Sequence, residues 1–286
     1  MRRSRDHRIP ASILADIPSP FRTSQGLDLP ENYDRSYRGP VTLRTALACS
    51  LNVPALRELN ALGGPLPLYQ LLINLGITTL DPDPNLYGLG LTLGNAPVRL
   101  LDLTNAYATL ARRGVYFPPT LFPPSKSDLS AVASAEEDVR RSTCPGVASR
   151  RRMFDVPSSY LIADILSDPA ARAPAFQPGG PLDLPFKCAV KTGTSSDFHD
   201  NWCLGFTPRF TVGVWAGNFE QQPMKGLSGI AGAAPIFHRA MLLLHQEIKP
   251  TWYPRPPGLV DITIDPRNGK LVPAGTPNSV QDLAPA

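Results

Sequence analysis

The stretch FKCAVKTGTSSDFHDNWCLGFTPRFTVGVWAGN, residues 186–218, carries the strongest strand signal in this chain. Val, Phe, Trp and Thr dominate three runs within it, residues 186–194, 201–207 and 210–218, and turn residues separate these runs. β-Branched and aromatic residues favour strands, and short turns join strands that lie side by side. The stretch therefore predicts a three-stranded antiparallel meander.

Helices are predicted on both sides of the meander. Residues 98–113 place apolar side chains three or four positions apart, and Gly114 follows as a stop signal. A similar pattern begins near Pro235 and predicts a closing helix that reaches Ile248. The other predicted helices are shorter and cover residues 41–49, 52–62, 66–75 and 157–167. The first 40 residues contain five spaced prolines and are predicted to be irregular.

Helices joined to an antiparallel meander predict an α+β fold. We expect one main domain at residues 1–250, with a polar, proline-bearing insertion at residues 118–155. A tail follows at residues 251–286. In this tail, residues 259–264 and 270–272 are predicted to pair as a hairpin.

Composition narrows the classes of function. The net charge is only +4, and no aromatic side chains alternate with the short basic clusters, which argues against nucleic-acid binding. No stretch approaches the roughly 20 apolar residues of a membrane helix. The basic start, residues 1–8, has no apolar segment behind it, as a signal peptide would. We therefore expect no membrane segment and a cytoplasmic chain.

The four cysteines give no sign of a metal site. Cys49, Cys144, Cys188 and Cys203 form no C-x-x-C pattern and no cluster with histidine. We expect no metal and no cofactor. Buried free thiols are the first interpretation, and a bridge between Cys188 and Cys203 is the alternative if their strands pair.

The first motif with chemical meaning is Lys191-Thr192-Gly193-Thr194, at the end of the first predicted strand. A lysine at a strand edge is usually a solvated charge. Followed by two hydroxyls and a glycine, it also fits a cleft that binds a carboxylate, because the glycine lets a ligand approach the backbone. K-T-G is a known element of penicillin-binding proteins and β-lactamases, although the tripeptide alone is a weak signal.

The second motif is Ser50-Leu51-Asn52, between two predicted helices. Taken alone, serine and asparagine at this place are explained by helix capping. Its order relative to the first motif gives it meaning, because S-x-N on a helix connection precedes K-T-G on a strand. If the two motifs form one cleft, Lys191 and Ser50 should lie within hydrogen-bond range or one water apart.

The sequence around these motifs resembles class A penicillin-binding proteins, most closely the 1C type, over residues 9–257. The similar segments are SLNVPA (50–55), LDLTNAYATLA (101–111), KTGTS (191–195), DNW (200–202) and GAAPI (232–236). The resemblance implies a penicillin-binding-protein/β-lactamase-like transpeptidase fold that is truncated at its N-terminus. The helical region, the meander and the closing helix would be the part present, and residues 1–8 match nothing in the family.

The resemblance also implies roles for the matched residues. Ser50 would relay protons near the nucleophile, Asn52 would hold the acyl-donor peptide, and Lys191 would polarise Ser50 and attract the substrate carboxylate. The implied substrate-binding residues are Thr192, Gly193, Thr194 and Ser195. The N–H of Thr194 would supply half of the oxyanion hole.

The family's nucleophile belongs to an S-x-x-K motif upstream of S-x-N. None of the six lysines of this chain has a serine three residues before it. Without that serine no acyl-enzyme can form, so we expect the chain to be inactive by itself. An upstream fragment of the same protein is an expected partner.

The implied function is peptidoglycan D,D-transpeptidation, with stem peptides and β-lactams as ligands. Intact members of the family act at the periplasmic face of the cytoplasmic membrane. Two alternatives stay open. The chain could be a non-catalytic remnant or ligand-binding module, which the missing S-x-x-K favours, or a D,D-carboxypeptidase or β-lactamase, which the length of the resemblance disfavours.

Overall fold

The computed structural model describes residues 8–23, 26–120, 150–195, 198–220, 222–224 and 227–286. Its α-helices are α1 (Leu43–Ala48), α2 (Asn52–Ala61), α3 (Leu66–Asn74), α4 (Leu100–Ala111), α5 (Val156–Leu166), α6 (Pro169–Arg172), α7 (Gly229–Gly232) and α8 (Ala234–Leu244). Its strands are β1 (Ile13–Asp16), β2 (Phe21–Thr23), β3 (Gly26–Asp28), β4 (Gly39–Thr42), β5 (Val115–Tyr116), β6 (Arg151–Arg152), β7 (Ala189–Thr194), β8 (Asp200–Phe206), β9 (Thr211–Gly217), β10 (Leu259–Ile264) and β11 (Val280–Pro285). Two 3₁₀ helices, Pro84–Leu86 and Gly88–Leu93, connect α3 to α4.

The predicted meander is confirmed. β7, β8 and β9 form one antiparallel sheet in that order, with Lys191 opposite Leu204 and Trp202 opposite Trp215. In the part of the chain that the structure describes, β9 pairs with β8 alone. β9 is therefore the edge strand of this sheet, and its outer edge pairs with no other strand among these residues.

Helices cover both faces of this sheet. On one face, Phe237 and Met241 of α8 pack against Val190 and Cys203, and all four side chains are buried. On the other face, Phe206 packs with residues of α5 in a second buried cluster. α4 also lies against this second face, so closely that a Cβ on Gly213 would collide with the hydroxyl of Thr104. The sheet is thus the middle layer between helices, and it holds the K-T-G strand rigidly in place.

The prediction that the first 40 residues are irregular is wrong. β1 pairs with β4, and β2 pairs with β3, both antiparallel. Each of these strands has only three or four residues, too few for an alternating pattern to stand out among the prolines. Along β1 the burial does alternate, with Leu14 and Asp16 turned inward.

The predicted helices are present, with changes at their ends. The closing helix stops at Leu244 rather than Ile248, with His245 as its C-cap residue. A separate turn of helix, α7, precedes it. The imidazole of His245 lies 3.0 Å from the Thr207 hydroxyl and 2.8 Å from the carbonyl oxygen of Ile248. The His245 side chain thus contacts residues on both sides of the helix in sequence, at the point where the helix ends.

The predicted hairpin in the tail is present in part. Leu271 forms an antiparallel bridge with Ile264, and the N–H of Val272 donates to the carbonyl of Thr263 at 2.9 Å. The strand that pairs along the whole of β10, however, is β11. Pro273 comes directly after Val272 and has no N–H to donate to a strand ladder, which disfavours a longer strand at this place. The division into residues 1–250 and 251–286 stays a prediction.

The cysteines of the described residues are free thiols. Cys49, Cys188 and Cys203 are buried and unbridged, so the alternative of a bridge between Cys188 and Cys203 is wrong. The register explains this, because Thr192 rather than Cys188 stands opposite Cys203. Cys144 and most of the predicted insertion lie outside the described residues. The two ends of that insertion are joined by pairing of β5 with β6.

Among the residues that the structure describes, no helix combines the length and the apolar character needed to cross a bilayer. Within the same residues, no group of three or more His, Cys, Asp and Glu side chains is arranged to hold a metal ion.

Candidate functional site

The S-x-N serine lies directly after Cys49, the C-cap residue of α1. The N–H of Ser50 bonds the carbonyl of Leu47, and the N–H of Leu51 bonds the carbonyl of Ala46. This pair of bonds is the Schellman arrangement, which needs a left-handed residue where glycine is usual. Ser50 has a φ of 58° and therefore takes this conformation without being glycine. Such a residue costs on the order of 1 kcal/mol, which is compatible with a functional reason for its side chain.

The S-x-N asparagine begins the next helix. Asn52 is the first residue of α2, and no side chain of the preceding residue caps that helix. The cap comes instead from Asn32, whose Oδ1 accepts hydrogen bonds from the N–H of Asn52 at 2.9 Å and of Val53 at 3.4 Å. The Nδ2 of Asn52 donates to the carbonyl of Glu31 at 2.9 Å. Both the backbone and the side chain of Asn52 are thus held by residues 31–32.

Asn32 is itself held by a buried carboxylate. Its Nδ2 donates to both oxygens of Asp16, at 2.8 and 2.9 Å, and to the carbonyl of Ser36 at 2.7 Å. The exposed fractions are 4% for Asn32 and 0% for Asp16, so both groups depend on each other for hydrogen bonds. The backbone N–H of Arg38 completes the bonding of Asp16 at 2.9 Å. Sequence analysis missed Asn32, because an asparagine in a proline-spaced segment carries no periodic or motif signal.

Lys191 lies against Ser50, as expected for one cleft. Its Nζ donates to the Ser50 hydroxyl at 2.6 Å and to the carbonyl of Thr192 at 2.6 Å. Burial lowers the pKa of Lys191 to about 8. The lysine therefore changes its protonation near pH 8, where it can hold or release a proton next to Ser50.

The rest of the K-T-G segment is anchored to the chain around it. The N–H of Gly229 donates to the Thr194 hydroxyl at 2.9 Å, which joins α7 to the end of β7. The contact is so close that a Cβ on Gly229 would collide with the carbonyl oxygen of Gly193. Ser195 lies at the turn, where its hydroxyl accepts from the N–H of Asp200 at 2.7 Å.

A cavity of about 530 Å³ brings the two motifs together. Three segments contribute to its lining: residues 32–34 together with Arg38, residues 49–52, and residues 174–177 together with residues 180–181. Thr192, Gly193 and Thr194 complete the lining with Ser228 and Ile230. Its volume is in the range of clefts that hold ligands the size of drugs or short peptides. Ser195, which was expected to bind substrate, is not among the lining residues.

A charged cluster fixes the helix that leads to Ser50. Arg44 of α1 donates to Asp164 of α5 at 2.8 Å, to Asp168 at 3.1 Å and to Asp282 of β11 at 2.6 Å. Burial alone would raise the pKa of Asp164, but hydrogen bonds from Lys187 and Arg44 lower it below its ordinary value. Asp168 also caps α6, the helix that precedes the wall at residues 174–181. The guanidinium of Arg44 therefore links α1, which leads to residues 49–52, with the segment that leads to the opposite wall of the cavity.

Penicillin-binding proteins 1A, 1B and 1C are among the known proteins with similar sequences. Penicillin-binding protein 1C of Escherichia coli is 30% identical over 278 residues, which cover 96% of this chain and 32% of that protein. The chain spans about a third of the length of the curated relatives that it matches. No protein-family profile matches the chain.

Solved structures show the same fold. Penicillin-binding protein 1A of Haemophilus influenzae superposes with a TM-score of 0.74 at 20% identity, covering 98% of this chain and 45% of that one. The TP domain of penicillin-binding protein 3 from Burkholderia pseudomallei has a TM-score of 0.62 at 15% identity, covering 86% of this chain and 75% of that one. The resemblance to class A penicillin-binding proteins and the α+β transpeptidase-domain fold, both inferred from the sequence, are confirmed.

Proposed function

We propose that this chain carries the ligand-binding side of a peptidoglycan D,D-transpeptidase cleft. The ligands would be stem peptides that end in D-alanyl-D-alanine, and β-lactams, which present a comparable carboxylate. The observation that carries the proposal is the contact between Lys191 and Ser50 beside a cavity lined by both motifs. The names of the relatives, all penicillin-binding proteins, support the same ligand class.

The chemistry of the cavity fits these ligands. Protonated Lys191 supplies a positive charge behind Thr192 and Thr194, whose hydroxyls can donate to a carboxylate. Asn52 lines the cavity beside Ser50 and would bond the peptide backbone of the acyl donor. In such a cleft the hydrogen bond from Lys191 to Ser50 would let the serine pass a proton to or from the reacting group.

The acyl-transfer step needs a nucleophile that these residues do not supply. In the family, the serine of S-x-x-K attacks the peptide carbonyl, D-alanine leaves with a proton, and an amine later takes the acyl group. This sequence contains no S-x-x-K. We therefore propose that the chain by itself binds these ligands without acyl transfer, and that a segment bearing S-x-x-K would complete the site. The site would act where peptidoglycan lies, outside the cytoplasmic membrane.

A non-catalytic remnant or binding module that no S-x-x-K segment ever completes is the second candidate, and the absent S-x-x-K is the observation that favours it. A carboxypeptidase or β-lactamase would use the same cleft with water as the acceptor. No feature of the described residues selects water over an amine.

Binding of a fluorescent N-acyl peptide that ends in D-alanyl-D-alanine tests the proposal by anisotropy on the purified chain. We expect saturable binding that Lys191→Met and Asn52→Ala weaken about tenfold or more, since each removes a charged or polar contact worth about 1–3 kcal/mol. Lys270→Met is the matched control, because this lysine is exposed in a distant turn. Binding that is absent, or that all three variants leave unchanged, would contradict the proposal.

A further inference from the structure

A second cavity lies apart from the ligand cleft. It has a volume of about 360 Å³ and lies between residues 18–21, which lead from β1 into β2, and the C-terminal half of α2. None of the residues that line it also lines the cleft that contains Ser50 and Lys191's motif. The proposed function therefore makes no use of this cavity.

The wall contributed by α2 is polar at its centre. Arg57, Asn60 and Ala61 line the cavity, and their spacing of three and four positions places them on one face of the helix. The guanidinium of Arg57 is partly buried, whereas Asn60 is exposed at the rim. A charged group and an amide donor thus face the same space.

The opposite wall is apolar and rigid. Pro18 and Pro20 flank Ser19, and each proline ring fixes its own φ, so this wall has its shape before any ligand arrives. The ring of Phe21, which is only 9% exposed, adds an aromatic surface. These side chains suit the apolar body of a small ligand.

Arg57 is held in place by a neutral partner. Its Nη1 donates to the Ser19 hydroxyl at 2.8 Å, and that hydroxyl donates in turn to the carbonyl of Ile17 at 2.8 Å. The neighbouring acid, Glu58, pairs with Arg8 at 3.0 Å. Among the residues that the structure describes, Arg57 forms no salt bridge.

A positioned guanidinium of this kind is suited to an anion. It has five N–H donors, and only one of them is used on Ser19. A partly buried charge gains from an opposite charge, and the planar fork of arginine matches the two oxygens of a carboxylate. One positive charge also balances the single negative charge of a carboxylate better than the double charge of a phosphate.

We propose that this cavity is a second binding site, which takes a small monocarboxylate with an apolar body. The carboxylate would pair with Arg57 and accept a further hydrogen bond from the amide of Asn60. The apolar body would lie against Pro18, Pro20 and Phe21. The volume is at the small end of ligand sites, so the ligand is a small molecule and not a peptide chain. This inference does not rest on the proposed function of the cleft.

Two probes that differ in charge alone test the proposal. Binding of 4-fluorobenzoate and of its uncharged analogue 4-fluorobenzamide to the purified chain is measured by ¹⁹F NMR titration. We expect a dissociation constant of about 1 mM for the benzoate, as is reasonable for a ligand of this size. The benzamide should bind about tenfold more weakly, because it lacks the charge that pairs with Arg57.

Two variants and a control locate the site. Arg57→Met should weaken 4-fluorobenzoate until the two probes bind within about twofold of each other. Ala61→Met places a larger side chain in the lining and should weaken both probes about fivefold or more. Arg22→Met removes the same charge from an exposed residue next to Phe21 but outside the lining, and it should keep the preference for the benzoate. Thermal unfolding shows whether each variant is folded, and Ala61→Met decides the matter if Arg57→Met is not.

The ligand cleft is the competing place for a carboxylate, so Lys191→Met is measured as well. Binding of 4-fluorobenzoate should be unchanged in this variant. Loss of binding in Lys191→Met with full binding in Arg57→Met would place the probe in the cleft and overturn the inference. Equal affinity of the unchanged chain for both probes, or no binding of either, would also overturn it and would leave the proposed function standing.

Discussion

The Nζ of Lys191 and the hydroxyl of Ser50 lie 2.6 Å apart, although 141 positions separate the two residues along the chain. The sequence places one on a strand and the other on a helix connection. Their contact requires α1 and β7 to be held together, and the cluster around Arg44 contributes to this by tying α1 to α5. The site is therefore a property of the packed molecule and would be lost by partial unfolding.

The protonation of Lys191 predicts how ligand binding depends on pH. Its pKa is lowered to about 8 by burial, so the lysine is charged below that pH and loses its charge as the pH rises through it. The affinity for a peptide carboxylate should be constant below about pH 7 and fall about tenfold by pH 9.5, because a bound carboxylate opposes the deprotonation. Titration calorimetry across this range measures the dependence. Lys191→Arg keeps its charge throughout and should flatten the profile, and an unchanged profile would assign the dependence to another group.

Covalent labelling should fail despite the cleft. The sequence has no serine three residues before any lysine, so incubation with a fluorescent penicillin should leave no adduct that survives denaturing electrophoresis. An intact class A penicillin-binding protein treated in parallel is the positive control. A stable labelled band, with the modified serine located by peptide mapping, would show that acylation does not need S-x-x-K in this chain.

Asn32→Ala should weaken both the fold and the site. It removes the cap of α2 and leaves the buried Asp16 without two of its hydrogen bonds. The cost should be about 2–4 kcal/mol in the free energy of unfolding, since a buried carboxylate loses its partner. Urea denaturation measures it, with Asn60→Ala as the control at an exposed position of the same helix. A loss below about 0.5 kcal/mol would contradict the assigned role.

Two glycines near the cleft should respond differently to alanine. A Cβ on Gly229 would collide with the backbone of β7, so Gly229→Ala should cost about 2 kcal/mol or more. The atoms nearest to a Cβ on Gly193 belong to Trp202, at an ordinary distance of 3.4 Å. Gly193→Ala should therefore leave the unfolding free energy within about 0.5 kcal/mol while reducing peptide affinity, because Gly193 lines the cavity. Thermal unfolding and anisotropy separate the two effects, and equal stability losses would refute the distinction.

The sequence was sufficient for the parts of the site that repeat a known order of motifs. Ser50, Asn52 and the K-T-G residues could be singled out because their motifs follow the order found in a known family, and the predicted contact between Lys191 and Ser50 is present. Asn32, Asp34 and Arg38 could not, because their segment is short, polar and without a period. Their meaning comes from hydrogen bonds to β1 and α2, which only the packed chain reveals.

The tail illustrates a second limit of sequence reasoning. β10 was predicted as one arm of a hairpin, whereas β11 was not predicted and has the sequence VQDLAP, with an aspartate at its centre. That aspartate, Asp282, is turned inward and bonded to Arg44, so its burial depends on a partner 238 positions away. The hydrophobic pattern of a sequence does not show ion pairs between distant residues. Aspartate and proline are also depleted in strands, so the residues of β11 do not predict a strand.

The left-handed backbone conformation at Ser50 limits which residue types fit at this position. Threonine carries the same hydroxyl and would be the obvious replacement by chemistry, but its branched Cβ is strongly disfavoured at a φ of 58°. Glycine, asparagine and aspartate suit the backbone and lack the hydroxyl. Serine therefore meets two independent requirements: a backbone that tolerates the left-handed conformation at the helix end, and a hydroxyl that accepts a hydrogen bond from Lys191. A replacement that suits the helix end alone, such as glycine, would take the hydroxyl partner away from Lys191.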